Sequence, residues 1–260
     1  MSNNRFLPYE ADYNVLSKCR KAESIGLWSI SLLSLIIPII NMLNFTPSIV
    51  RSVIEFVDFI LIVAYYILNV TTETFLYPAT ARKRRKGFID NSLGSKYLEK
   101  EVEGYYTNDK VANGPFKIIV NCGENCYFTM NIAKGMLPKI LIKNIGCLII
   151  FLGMAYFGFK SNALFLPILQ IILSSLFLTE LIHHINFIVK LNRLFDCFKD
   201  AFSLKHNAEK TLQEAILLYL DYETTLAYNK APLSDKVYKK MNEKLTEDWE
   251  EIKSRYAIYE

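Results

Sequence analysis

Histidine and catalytic motifs are what this chain has little of. Three histidines occur in 260 residues, and no G-x-S-x-G elbow, no glycine-rich phosphate cradle leading into Lys-Ser/Thr and no H-E-x-x-H pair is present. The acidic residues of the turn-rich middle, Asp90, Glu101, Glu103, Asp109 and Glu124, are scattered as a solvated surface scatters them. No catalytic residue emerges, and neither enzyme activity nor a cofactor is expected. Cys122 and Cys126 stand at i,i+4, but a zinc site wants about four ligands, and His183, His184 and His206 are remote in sequence. No metal is expected. No nucleic-acid-binding motif accompanies the modest positive charge, which anionic lipid head groups explain as well as a nucleotide ligand does.

Charge is also missing from long stretches. Leu27 to Phe45 carries none; Val53 to Thr72 has an unbroken apolar core from Phe59 to Leu68; Asn144 to Phe159 and Asn162 to Thr179 follow. Each approaches the roughly 20 residues that cross a hydrocarbon core of about 30 Å. Helices buried in a soluble protein usually keep a solvated stripe, and Ser29 to Phe45 shows none. Some 26 largely polar residues precede the first stretch, and no small-residue cleavage site follows it, so it is expected to remain in the mature protein. Pro38 is tolerable inside a membrane helix.

Lysine and arginine set the orientation. They gather before the first span (Arg5, Lys18, Arg20, Lys21), between the second and third (Arg82 to Lys86, then Lys96 to Lys139), and after the fourth (Lys190, Arg193, Lys199), while the short connections hold Arg51 and Lys160. The expected fold class is therefore an all-α integral membrane protein with four transmembrane helices as two hairpins and a cytoplasmic helical layer. Residues 1–26 form a cytoplasmic amphipathic helix, 27–78 the first hairpin, 79–139 a cytoplasmic middle segment, 140–185 the second hairpin, and 186–260 C-terminal cytoplasmic helices. The five cysteines then lie where thiols stay reduced.

Within the middle segment, Asp90-Asn91-Ser92 with Gly94, Gly104 to Asp109 and Asn113-Gly114-Pro115 read as turns, with a short helical pair over Pro115 to Val120 and Asn125 to Met136. The segment is too small to bury a large core by itself and is expected to pack on the C-terminal region or a neighbouring subunit. A helix continues from the fourth span through Phe202. A second runs about Ala208 to Tyr228, with Leu212, Ile216, Tyr219 and Leu220 on one face. Pro232 interrupts, and Ser234 caps a third helix that runs to about Tyr256.

Glu55 and Asp58, at i,i+3 in the second span, are candidates to line a pore in an oligomer, or to sit at head-group level near Arg51. Ser34 and Asn41, with Ser31, lie close to one face of the first span and suit either a pore or helix packing. Gly146, Gly153 and Gly158 favour close approach of helices and hence a homo-oligomer. Lys143 is placed to snorkel, and Glu180, His183 and His184 read as helix pairing or as a proton-sensitive gate. Tyr105 and Tyr106, beside Arg82, Arg84 and Arg85, are candidates to stack on a base and neutralise phosphates, or else form a structural turn.

Cys19-Arg20-Lys21-Ala22 enters the first span, Ala81, Arg84, Phe88, Asp90 and Gly94 follow the second, and Leu212-Gln213-Glu214-Ala215-Ile216 with Pro232 and Tyr238 stand in the tail. In these residues and in the two-plus-two hairpin layout, the chain resembles the SMODS-associated four-transmembrane pore-forming effectors of bacterial anti-phage (CBASS-like) systems. Asn91-Ser92-Leu93 and the Gly104 to Asn108 turn depart from that pattern and point to a divergent branch. The resemblance implies an inner-membrane effector that assembles as a homo-oligomer and permeabilises or depolarises the membrane on a cytoplasmic trigger, a cyclic nucleotide or a partner protein. A housekeeping channel or transporter subunit and a membrane-bound lipid-modifying enzyme share the same topology.

Overall fold

The computed structural model describes residues 6–43, 47–158, 176–204, 207–229 and 234–259. Among them every regular element is helical: α1 (Glu10–Leu43), α2 (Ser48–Thr71), a π-helical turn (Thr72–Leu76), α3 (Tyr77–Leu93), α4 (Pro115–Gly158), α5 (Leu176–Ser203), α6 (Ala208–Asn229) and α7 (Asp235–Arg255). Extended pairing is limited, in the same residues, to one antiparallel bridge between Phe6 and Glu103. Most of the expected fourth span, with Lys160 and Pro167, lies outside the described residues, as do His206 and Pro232.

The chain divides into two compact units. The hairpin unit comprises Tyr9–Arg84 and Ile145–Phe177. Here α1 and α2 pack together and continue past each other in opposite senses. Asp12 pairs with Lys83 at 2.7 Å and Arg20 with Glu73 at 3.4 Å, Gly26 lies against Tyr65, and Ile37 and Ile40 lie beside Arg51 and Ile54. Rising numbers in one helix meet falling numbers in the other, which is the signature of an antiparallel hairpin. Arg20 also lies 5.2 Å from the centre of the Tyr77 ring, so the charged end of the hairpin is cross-tied at three points.

Ser48–Leu93 is one unbroken helical stretch of 46 residues, and among the described residues it is the one long and apolar enough to cross a membrane. Its most apolar window has a mean hydropathy of 2.0 and no buried residue. Ile49, Phe56, Phe59, Tyr66, Ile67 and Phe75 are each more than half exposed. An exposed apolar surface of this extent marks a face that contacts lipid or another protein. The π turn marks the end of that surface, and the Thr72 hydroxyl inside it is buried with no hydrogen-bond partner among the described residues.

The helical unit comprises Met1–Pro8, Arg85–Asn144 and Leu178–Glu260. Its core joins Phe88 of α3, Ile119, Cys122, Cys126 and Ala133 of α4, Phe187, Leu191 and Phe198 of α5, Ala215 and Leu218 of α6, and Trp249 of α7, which is fully buried. The middle segment and the C-terminal helices thus share one apolar core.

Two local expectations are corrected. Asp90, Asn91 and Ser92 are the last turn of α3, not a free turn; Gly94 ends the helix with φ +72° and its N–H returns to the Asp90 carbonyl at 2.9 Å. The expected short pair over 115–120 and 125–136 is instead the first half of a single 44-residue helix, α4, which runs through Gly123 and Pro138. A third difference concerns α6. Its core face is Ala215, Leu218 and Tyr222; of the expected stripe of Leu212, Ile216, Tyr219 and Leu220, Tyr219 stacks on Phe88 against the core and the other three point outward.

Candidate functional site

In the hairpin unit, Arg51, Glu55 and Asp58 follow one another at i, i+4 and i+7 on α2. Glu55 is exposed and Asp58 half-buried, with Asp58 Oδ1 and Arg51 Nε enclosed and lacking hydrogen-bond partners among the described residues. Ser34 is half-buried in α1, and Ser31 donates to the Leu27 carbonyl at 2.8 Å, the back-bonding that lets a hydroxyl sit in an apolar helix. The side chain of Asn41 lies outside the described residues. Gly146 and Gly153 have no heavy atom within 4 Å of an added Cβ among the described residues, so the close approach expected of them is not made there; Gly158 carries no described contact.

The basic and aromatic candidates fall in two units. Arg82 and Arg84 belong to the hairpin unit; Arg85, Tyr105 and Tyr106 belong to the helical unit. Arg85 Nη1 lies 3.8 Å from Glu223 Oε2. Tyr106 is buried, edge-on to Tyr105 at 4.7 Å and to Phe88 at 6.1 Å, and its hydroxyl accepts from Asn125 at 3.4 Å. Ring faces occupied in this way leave Tyr106 no surface on which to stack a base. Among the turn-forming pair, only Tyr105 keeps partial exposure.

Sequence reasoning missed a polar lattice inside the helical unit, built from these same turns. The Glu124 carboxylate on α4 is buried, accepts from Asn108 Nδ2 at 2.6 Å and from Thr107 Oγ1 at 3.2 Å. Asn108 also donates to Asn121 Oδ1 at 2.9 Å and accepts from the Trp249 indole at 3.2 Å. Asn121 in turn donates to Asn91 and Ser92 at the end of α3. Lys253 of α7 is buried; its ammonium donates to the Thr107 carbonyl at 3.0 Å and meets Glu250 at 2.6 Å and the Tyr259 hydroxyl. The loop before α4 is thereby tied to α3, α4 and α7 at once. Its only signal in the sequence was the run of Asn and Thr in 107–125, which reads equally well as a solvated turn.

Burial pushes the Glu124 carboxyl up to about 7, against the opposing pull of Lys253 and its hydrogen bonds. Burial likewise pushes the Tyr127 phenol up to about 12, helped by its hydrogen bond to Asp248 at 3.1 Å, and raises the Cys126 thiol, whose Sγ lies 3.5 Å from the Leu191 carbonyl. A group that titrates near 7 in a lattice joining three helices is responsive to proton activity or to a neighbouring charge.

The remaining candidates are separately engaged. Asp90 accepts from Ser95 Oγ and from the Tyr97 and Leu98 N–H groups, each at 2.8 Å, which orders the start of the loop. Lys143 pairs with Glu180, and the buried His184 ring donates to the Ala133 carbonyl at 2.8 Å, while His183 is exposed. The expected Glu180, His183 and His184 grouping thus divides between two helix contacts. Cys19, Cys122, Cys126 and Cys197 are free thiols, and no group of three or more His, Cys, Asp or Glu able to hold a metal occurs among the described residues. No protein family, curated protein or solved structure matches this chain.

Proposed function

We propose that the chain is a multi-pass protein of the bacterial inner membrane, with both termini cytoplasmic and four transmembrane helices in two hairpins. In this role it is an anti-phage effector that assembles as a homo-oligomer and permeabilises or depolarises the membrane. A cytoplasmic signal, a cyclic nucleotide or a partner protein, acts on the helical layer and favours the arrangement in which the spans open.

The uncovered apolar exterior of α2 carries this reading. From Arg51 to Glu73 the helix advances about 33 Å at about 1.5 Å per residue, close to the thickness of a hydrocarbon core of about 30 Å. Glu55 and Asp58 are the charged residues within that length. Beyond it the run Arg82 to Lys86 supplies the positive charge that marks the cytoplasmic flank, and the Arg20–Glu73 and Lys83–Asp12 pairs tie the two helices there. The later half of α4 adds a second apolar exterior through Ile142, Ile149 and Tyr156, each more than 60% exposed. The effector act itself is supported by the resemblance in sequence pattern.

Induced expression in cells loaded with a voltage-sensitive dye tests the proposal. Depolarisation on triggering is expected; full polarisation with and without the trigger overturns the effector role and favours a housekeeping channel subunit. If Glu55 and Asp58 line the conduit, Glu55→Gln with Asp58→Asn alters cation conductance, and unchanged currents dismiss them as lining residues.

A further inference from the structure

Helix α7 carries its charges in an order that helix formation does not ask for. In its first half the exposed charges are Lys236, Lys239, Lys240 and Lys244, against Asp235 and Glu243; in its second half they are Glu247, Glu250 and Glu251, against Arg255. The helix dipole favours acidic residues near the start and basic ones near the end, an order that Asp235 and Arg255 follow and the other exposed charges reverse. None of the four lysines holds an ion pair among the described residues. At about 3.6 residues per turn they spread over about 140° of arc, opposite Met241, Leu245 and Trp249, which face α4 and the core.

The contacts of α7 fix which of its ends the lysines occupy. The Ser234 N–H lies 3.3 Å from Met136 Sδ, a Cβ on Gly135 would meet Val237 and Met241 at 2.9 Å, and Asp248 accepts from Tyr127 at 3.1 Å. Rising numbers in α7 meet falling numbers in α4, so the two helices are antiparallel and the lysines sit where α4 approaches its apolar exterior. Within the helical unit that exterior begins with Leu141 and Ile142 on α4 and Ile182 and Ile185 on α5, which are 41% to 72% exposed. From Gly135 to Ile142 the helix rises about 10 Å, little more than the head-group layer of about 5–8 Å on each side of a bilayer. Resting on the reading of the chain as a multi-pass membrane protein, we propose that the first half of α7 docks on anionic head groups of the inner leaflet, with the exposed Lys134 and Lys139 of α4 beside it. Glu250 lies about 21 Å further along the axis than Lys236, beyond a Debye length of about 8 Å, so the acidic half escapes the repulsion of that surface. The charge order along α7 thus follows the potential of an anionic leaflet. A soluble polyanion such as a nucleic acid gives no reason to confine the lysines to the end nearest the apolar exterior.

The test reconstitutes the full, unsubstituted chain in nanodiscs of phosphatidylcholine alone, or of phosphatidylcholine with an equal amount of phosphatidylglycerol. Lysines are acylated with a neutral amine-reactive ester, and the rate at each is read by mass spectrometry. In the anionic discs, acylation of Lys236, Lys239 and Lys240 is expected to slow about fivefold, the factor given by about 1 kcal/mol per lysine at such a surface, and high salt is expected to erase the difference. Lys110 is the internal reference: it is exposed beside Tyr259, at the opposite end of α7, and its rate is expected to be the same in both discs. Equal rates at the three α7 lysines in the two discs overturn the docking, as does slowing that Lys110 shares in full. Protection by added duplex RNA in neutral discs, without protection by phosphatidylglycerol, overturns it in favour of a nucleic-acid partner. A chain that enters the discs yet shows no lipid dependence refutes the docking and leaves the membrane placement standing, whereas a chain that stays soluble outside them refutes both. The dye measurement is separate, since cells that stay polarised refute the effector role and leave the docking of α7 intact.

Discussion

A single carboxyl, Glu124, has the greatest leverage on how the helical unit responds to its surroundings. Its folded-state value, near 7, lies above the ordinary 4.5 because burial penalises the charge. Below 4.5 it is protonated whether the chain is folded or not; between 4.5 and 7 the folded chain holds the proton more tightly. Its contribution to stability therefore falls as pH rises through that window and is level above it. Glu124→Gln keeps an acceptor for Asn108 and offers a donor to Thr107 Oγ1, with no charge to desolvate. The variant is expected to lose that slope and to gain on the order of 1–3 kcal/mol over the parent at pH 8. Thermal unfolding of the full chain in detergent, followed through Trp249 fluorescence across pH 5 to 8, is the check; parallel curves for parent and variant would dismiss it. The lattice was illegible in the sequence because Asn, Thr and Glu near turns report local chemistry, whereas their burial here depends on Trp249 and Lys253, more than 120 residues further along.

At the scale of elements, legibility followed the strength of the local signal. Ser234 accepts from the Val237 N–H and opens α7, the bounds of α6 fall within a residue of those read from periodicity, and α1 enters the hairpin without a break, since caps and a 3.6-residue repeat are encoded within a few residues. Helix α4 runs without a break through Asn121-Cys122-Gly123-Glu124, the interval between the two short helices expected there, and Gly123 is the residue in it that local propensity disfavours in a helix. Its reason is tertiary: a Cβ there would lie 2.6 Å from Phe202 Cζ and 3.5 Å from Phe198 Cγ, so the glycine admits α5 rather than ending α4. Gly123→Ala is accordingly expected to cost about 1–3 kcal/mol from overpacking, outweighing the roughly 1 kcal/mol that alanine gains in helix propensity. Gly146→Ala, with no heavy atom of the described residues within 4 Å of the added Cβ, is expected to show only the gain. Thermal unfolding of both variants separates the two cases, and equal shifts would show that α5 gives way freely. The outward stripe of α6 carries the same lesson, because periodicity finds an apolar face without saying which partner covers it.

For the whole molecule, the proposed membrane placement turns on which chemical groups meet lipid and which meet the cytoplasm. The thiols report on both. Cys197 is exposed on α5 within the helical unit; Cys122 and Cys126 are sealed in that unit's core, where burial also keeps the Cys126 thiol protonated. Thiolate is the form that reacts with a maleimide, so both access and protonation set the rate. With the helical unit facing the cytoplasm, a membrane-impermeant maleimide added to intact spheroplasts is expected to leave Cys197 unmodified. The same reagent added to inside-out vesicles is expected to label it promptly, while Cys122 and Cys126 react only after denaturation. A chain bearing Cys19→Ser and Cys147→Ser removes the two other thiols from the reading. Labelling of Cys197 from the outside would invert the topology and move Arg82 to Lys86 to the outer leaflet, against the charge asymmetry that orients short membrane hairpins. Fast labelling of Cys122 or Cys126 without denaturant would instead mean that the core joining α4 to α5 opens readily, and that the lattice around Glu124 is held less firmly than its hydrogen bonds require.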